Sequence, residues 1–219
     1  MVVLGLTGSI GMGKSTAAAM LRRLGVPVHD SDAAVHRLLG RNGAAVARVA
    51  AAFPGTEGPN GIDRASLGRR VFGDAAALRR LESILHPMVR AEAARFLRRM
   101  RAQRAPLVVL DIPLLLETGG EARCDAIVVV SAPAFLQRAR VLRRKGMSAT
   151  RLAAILAKQM PDTEKRLRAD FVVPTGLGRR ETLRRLAEIV RVASTSHRRF
   201  AIGRRRRARD RARHRDDGS

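Results

Sequence analysis

Apolar residues run along this chain in two rhythms. Short unbroken apolar runs stand at 2–7 (VVLGLT), 26–29 (VPVH), 107–113 (LVVLDIP), 126–132 (AIVVVSA) and 171–173 (FVV). Continuous apolar character over so few residues predicts strands covered on both faces, as in a parallel sheet. Elsewhere apolar positions return every three or four residues, which predicts helices. These cover 14–24, Ala33 to about Leu39, 44–53, 64–73, 75–85, 88–102, 134–145, 148–159 and 179–195. In 88–102, Val89, Ala93, Phe96, Leu97 and Met100 share one face. The glycines and prolines of FPGTEGPNG, 53–61, predict a loop. Strands alternating with helices predict an α/β fold with a mostly parallel sheet. The helical run 33–104 is too long for a simple crossover and predicts an inserted helical subdomain. No internal repeat is present.

Length and composition narrow this picture. A chain of 219 residues with 46% hydrophobic content fits one domain with an insertion, over 1–196, and a tail. The only cysteine, Cys124, excludes an intrachain disulfide and a multi-cysteine zinc site, and fits a reducing compartment. No basic stretch precedes an apolar run at the N-terminus, so no secretory signal is expected. The apolar runs fall well short of the roughly 20 residues of a membrane span. A soluble cytoplasmic protein is the expectation.

The net charge of +24 is shared unequally. Residues 197–219 hold ten arginines and three aspartates, leaving +17 on 1–196. That tail has too few large apolar side chains to offset its ordering entropy and is expected to be disordered. It is either a passive solvated segment or a phosphate-contacting arm for nucleic acid. Lysine occurs only at 14, 145, 158 and 165; all other basic side chains but histidine are arginine. The surplus is either solvated helix faces or a surface for a polyanionic ligand.

Gly8-Ser9-Ile10-Gly11-Met12-Gly13-Lys14-Ser15 matches GxxxxGKS between an expected strand and an expected helix. Glycines let the backbone curl so that N–H groups face phosphate oxygens, and the helix N-terminus adds its positive dipole end. Gly11, Met12, Gly13, Lys14, Ser15 and Thr16 are the nucleotide-binding candidates. Lys14 would reach the β and γ phosphates, and Ser15 would offer its hydroxyl to Mg²⁺. A dinucleotide loop would read GxGxxG, and no NKxD guanine motif is present, so phosphoryl chemistry with ATP fits best.

Asp30-Ser31-Asp32 ends the second strand, where acids face a ligand crevice. One acid can take a proton from an attacking hydroxyl and another can hold Mg²⁺ through water. Asp30 or Ser31 can instead cap the following helix. Asp111 ends the strand 107–111, a position suited to Mg²⁺ beside Ser15. Glu117 follows in the loop, to orient substrate or to sit in solvent. Arg140 and Arg144 share a helix face within an arginine-rich stretch, 137–165, that can close as a lid over phosphates; ordinary surface charge is the alternative. His86 and Arg90 lie a turn apart, with Pro87 expected at a helix start. They can grip an anion, or His86 can be a capping or core residue.

Taken together these segments resemble dephospho-coenzyme A kinase. The resemblance rests on LTGSIGMGKST (6–16), GVPVHDSDAAVHRLL (25–39), LHPMVR (85–90), LDIPLLLE (110–117), RVLRRKGMS (140–148) and QMPDTEKRLRADFVV (159–173). It implies a P-loop kinase core, a helical substrate-binding insertion and an arginine-rich lid. It also implies an activity: ATP with Mg²⁺ would phosphorylate the ribose 3′-hydroxyl of dephospho-coenzyme A. On this sequence Asp32 becomes the expected base. Arg140 and Arg144 become lid arginines on the phosphates, joining Lys14 of the loop as catalytic groups, and His86 and Arg90 become substrate residues; Glu117 stays a substrate-binding candidate from its own position. Another small-molecule kinase of the P-loop class, for a nucleoside or nucleotide, is the alternative; a basic nucleic-acid-binding protein is a third. The chain departs from the family's usual pattern in three places. Ser31 separates the two aspartates where alanine is common. Ile155 stands where arginine is common, and Val173-Pro174-Thr175 replaces the usual Ile-Asp-Asn.

Overall fold

The computed structural model describes residues 1–195; the arginine-rich segment 197–219, with its expected disorder and candidate nucleic-acid contact, lies outside them. The chain runs β1 (Val2–Thr7), α1 (Lys14–Arg23), β2 (Val28–Asp30), α2 (Ser31–Leu39), α3 (Val46–Ala52), β3 (Glu57–Gly58), β4 (Gly61–Ile62), α4 (Arg64–Val71) and α5 (Ala75–Ala102). It continues through β5 (Leu107–Asp111), a 3₁₀ turn at Gly120–Arg123, β6 (Ala126–Ser131), α6 (Ala134–Leu142), α7 (Ala149–Leu156), α8 (Asp162–Leu167), β7 (Phe171–Pro174) and α9 (Arg179–Thr195). Two compact units form. One is Met1–His29 together with the chain from Met100 onward; the other is Asp30–Arg99.

The first unit is an α/β layer structure on a five-stranded sheet in the order β2-β5-β1-β6-β7. The pairs β1–β5, β1–β6 and β6–β7 are parallel, with Leu6 opposite Asp111 and Val128. Every residue of β1, β5 and β6 is buried, which accounts for their unbroken apolar runs. Leu4, Leu6, Val109, Val128 and Val130 pack with Ala17, Ala18 and Leu21 of α1 and with Leu186 and Ile189 of α9. Because these strands run parallel, their carboxyl ends, at Thr7, Asp111, Ser131 and Pro174, share one edge of the sheet. The central position of β1 sets the loop after it in the middle of that edge.

The second unit has its own core of Leu38, Leu39, Val49, Phe53, Ile62, Leu67, Leu81 and Leu85. Two features differ from the sequence expectation. Residues 75–102 form one helix with Pro87 inside it, not two helices with Pro87 at a start. An interior proline forfeits a backbone hydrogen bond and costs about 3 kcal/mol. Apolar side chains on both sides of it offset that: Leu81 and Leu85 before, Met88 and Val89 after, all in the same core. The 53–61 loop opens into a minimal antiparallel hairpin pairing Glu57 with Ile62 and Gly58 with Gly61. Gly61 has φ of 100°, and a Cβ there would lie 2.4 Å from the Leu39 carbonyl oxygen, so only glycine fits.

In the first unit α7 ends at Leu156, short of 159, and α8 was not expected at all. Six residues after Pro161 are too few to show a helical period. No described helix is long and apolar enough to cross a membrane.

Leu6 is fully buried at the centre of the sheet core. Leu6→Ala should cost about 2–5 kcal/mol of unfolding free energy. Urea denaturation followed by far-UV circular dichroism measures it; a variant with an unchanged midpoint would show that this core is not where stability resides.

Candidate active site

The loop 8–13 leaves β1 at the sheet edge and enters α1 through two left-handed glycines, Gly11 at φ 77° and Gly13 at φ 88°. Gly13 caps α1 without any side-chain hydrogen bond, so the helix N-terminus presents its backbone donors to a ligand. A Cβ at Gly11 would lie 2.6 Å from Val141 Cγ2 and 3.0 Å from the Gln137 carbonyl oxygen, because α6 packs directly on the loop.

Side chains from distant segments hold the loop's shape. Gln137 Nε2 donates to the Ile10 carbonyl at 2.8 Å, and the Ile10 N–H donates to Gln159 Oε1 at 3.1 Å. The Met12 carbonyl accepts from Thr175 Oγ1 at 2.8 Å, while Met12 Sδ accepts from the Ala132 N–H at 3.1 Å. Thr7 Oγ1 donates to the Pro113 carbonyl at 2.9 Å, tying the end of β1 to the loop after β5.

Lys14 opens α1 and its Nζ lies 2.6 Å from Asp111 Oδ1 at the end of β5; the carboxylate is almost fully buried. Ser15 and Thr16, in the first turn, are exposed. Beside them opens a cavity of about 490 Å³ lined by Gly11, Gly13, Thr16, Arg140, Arg144 and Arg179, among others. No carboxylate lines it among the described residues. Three guanidinium groups with no opposing acid make a strongly positive hollow, and its volume is that of a small-ligand site. Arg140 is half-buried and donates to the Thr175 carbonyl at 2.7 Å, to Thr175 Oγ1 at 3.1 Å and to the Gly11 carbonyl at 3.5 Å. Arg144, one turn on, is exposed.

The remaining candidates sit elsewhere. Glu117 is bound within the first unit: its Oε1 accepts from the Met160 N–H at 3.0 Å and lies 2.8 Å from Lys165 Nζ. Lys165 is wholly buried, and its contact with Glu117 is ionic, not a well-aligned hydrogen bond. In the second unit, Asp30 is the cap of α2, accepting from the Ala33 N–H at 2.9 Å. Capping is therefore Asp30's task, and Asp32 stands exposed in the first turn. His86, half-buried, and Arg90, exposed, lie on α5 inside the helix and not at its start.

The sequence profile of the dephospho-CoA kinase family matches residues 2–177, most of the chain. The chain belongs to the dephospho-CoA kinase family. A dephospho-CoA kinase of Rhodospirillum rubrum is 60% identical over 205 residues, spanning 93% of this chain and 97% of that one. The crystal structure of TT1252 from Thermus thermophilus superposes with a TM-score of 0.76 at 40% identity, covering 86% of this chain and 95% of its own. A dephospho-CoA kinase from Campylobacter jejuni, at 24% identity and a TM-score of 0.60, shares the fold over 88% of this chain and 97% of its own.

Within this family member, sequence reasoning assigned no role to Gln137, Gln159, Thr175, Arg179 or Lys165. Two of them carried a local signal: Lys165 as one of four lysines in an arginine-rich chain, and Thr175 as part of the departure at 173–175. Lys165→Met would leave the half-buried Glu117 carboxylate without its counter-charge, at a cost of up to about 3 kcal/mol, the low end for a buried pair. In the double variant Lys165→Met/Glu117→Gln most of that loss should return, since no unpaired charge remains. Urea midpoints of the two variants decide it; equal destabilisation would mean that packing, not charge pairing, holds this site.

Proposed function

We propose that this chain transfers the γ-phosphoryl group of ATP to the ribose 3′-hydroxyl of dephospho-coenzyme A, giving coenzyme A and ADP, the last step of coenzyme A synthesis. The observation that carries this reading is the acid-free, arginine-lined cavity opening on the GxxxxGKS loop, in a chain of this family. Such a site does little covalent chemistry itself; it positions the reactants and stabilises charge. Loop N–H groups and Lys14 hold the β and γ phosphates, and Arg144, exposed at the cavity wall, meets charge spreading over the transferred group. The 3′-oxygen attacks the γ-phosphorus, the bond from that phosphorus to the β–γ bridging oxygen breaks, and the hydroxyl proton passes to Asp32. His86 and Arg90 hold the acceptor. The family likeness supports both assignments, and the division of labour at α2, where Asp30 takes the cap, supports that of Asp32.

Mg²⁺ fits the donors present. Ser15 offers a hydroxyl and Asp111 a carboxylate, both hard oxygen ligands, and no group of three or more His, Cys, Asp or Glu forms a protein cage among the described residues. Sparse protein ligation completed by phosphate oxygens is how Mg²⁺ is usually held in kinases. Bound there, the ion would neutralise phosphate charge. Segment 137–165 acts as the lid, and Glu117 serves the acceptor side by anchoring the loop that follows Asp111. An ATP-consuming enzyme whose single cysteine, Cys124, is buried suits the reducing cytoplasm.

A coupled assay with ATP, Mg²⁺ and dephospho-coenzyme A should show ADP formation that depends on the acceptor. Turnover with a nucleoside monophosphate instead would reassign the acceptor to the alternative class.

Two amide substitutions separate proton transfer from metal binding. Asp32→Asn should lower kcat by about 10²–10⁴, with ATP binding little changed, because the amide is a far poorer proton acceptor. A loose transition state places the loss at the low end of that range. Asp111→Asn should instead raise the Mg²⁺ concentration needed for half activity. Should Asp32→Asn move only the Mg²⁺ titration, the base assignment is wrong.

A further inference from the structure

Thr175 follows β7, in the Val173-Pro174-Thr175 stretch where this chain departs from its family's usual Ile-Asp-Asn. The residue is 8% exposed, and its hydroxyl stands where three segments meet. Oγ1 lies 2.8 Å from the Met12 carbonyl, 3.3 Å from the Ser131 carbonyl and 3.1 Å from Arg140 Nη1. A hydroxyl has one proton and two lone pairs, and a guanidinium only donates. The proton therefore goes to Met12, the nearer carbonyl, and a lone pair accepts from Arg140. The backbone of Thr175 reinforces this: its N–H donates to the Ser131 carbonyl at 2.8 Å, and its carbonyl accepts from Arg140 Nη2 at 2.7 Å.

The same side chain lies against the phosphate-binding loop. A Cβ built on Gly13 would be 3.2 Å from Thr175 Oγ1 and 3.4 Å from its methyl group. Met12 and Gly13 form the peptide at which the loop turns left-handed into α1. One neutral hydroxyl thus joins the curled loop to a cationic wall of the cavity. Arg140 completes the ring through the Gly11 carbonyl at 3.5 Å.

We infer that Thr175 is a positioning residue for ATP: its hydroxyl sets the orientation of the Met12–Gly13 peptide and holds the Arg140 guanidinium in the cavity wall before the nucleotide arrives. This rests on reading the cavity as the ATP site. The hydroxyl acts by removing an ordering cost that would otherwise fall on ATP binding. Its effect therefore belongs in the apparent affinity for ATP, not in the acceptor or in the overall fold. Arg140 is correspondingly a clamp of the loop, leaving Arg144 as the guanidinium available to phosphate.

The test compares the full-length wild type with Thr175→Val, which keeps the shape and loses the hydroxyl, and Thr175→Ser, which keeps the hydroxyl and loses a methyl. Thr175→Val should raise KM for ATP about tenfold, the size expected when a buried hydrogen bond to a charged group is lost, with KM for dephospho-coenzyme A unchanged. Thr175→Ser should return KM for ATP to the wild-type value. Amide hydrogen exchange of residues 8–13 should quicken in the valine variant and not in the serine variant. Wild-type KM in Thr175→Val, equal defects in both variants, or a parallel rise in both KM values overturns the inference. If Thr175→Val does not fold, Thr175→Ala takes its place with the same expectations. Failure of the wild type to bind ATP would sink the cavity reading and this inference together. If it binds ATP but uses another acceptor, the same ATP comparison is run with that acceptor, and only the acceptor assignment falls.

Discussion

A loop that offers backbone N–H groups to phosphate can use few of them to hold its own shape: those of Ile10 and Met12 are spent on Gln159 and on the Ser9 carbonyl, and other anchors must come from elsewhere. That constraint governs the arrangement of the first unit. The loop 8–13 is anchored by side chains that arrive from far along the chain: Gln137 and Gln159 on Ile10, and Thr175 on Met12, at sequence separations of 127, 149 and 163 residues. Gln137 and Thr175 reach the loop because the parallel sheet brings the ends of β1, β6 and β7 to a common edge; Gln159 reaches it from the connection between α7 and α8. The sheet order is thus a requirement of the binding loop as well as a way of burying apolar residues.

Charge follows the same economy. The chain is crowded with arginine, yet the two lysines that turn inward are each met by a carboxylate from one short segment, LDIPLLLE. Asp111 pairs with Lys14 and Glu117 with Lys165. A buried ammonium without such a partner would be costly, whereas a guanidinium keeps several donors and tolerates partial burial through carbonyl oxygens, as Arg140 does. The acids of this segment therefore have a folding task alongside any chemical one. The cavity itself excludes acids, so its positive field is left for a polyanion.

Much of this was legible in the residues. The unbroken apolar runs marked β1, β5 and β6 because such strands are covered on both faces. GxxxxGKS after β1 announced a phosphate loop because glycine spacing and lysine placement are local requirements of that turn. The linkage of Asp30-Ser31-Asp32, His86-Pro87 and LDIPLLLE in order along the chain pointed to a single family, to which the profile match over 2–177 assigns it.

What the sequence could not decide lies where local preference and tertiary packing disagree, or where a role exists only across distance. Pro87 reads as a helix start, but core residues on both sides carry α5 straight through it. Nothing local to Glu117 shows that the wholly buried Lys165 lies beside it. Gln137 and Gln159 have no distinguishing local pattern, and Thr175 shows only as part of an unusual stretch; their tasks arise when the sheet edge assembles. Residue type and spacing determined the strands, the phosphate loop and the family by themselves, because those depend on neighbours within a few positions. Which side chains clamp that loop was decided only by the fold, because hydrogen-bond partners more than a hundred residues apart are chosen by geometry and not by sequence.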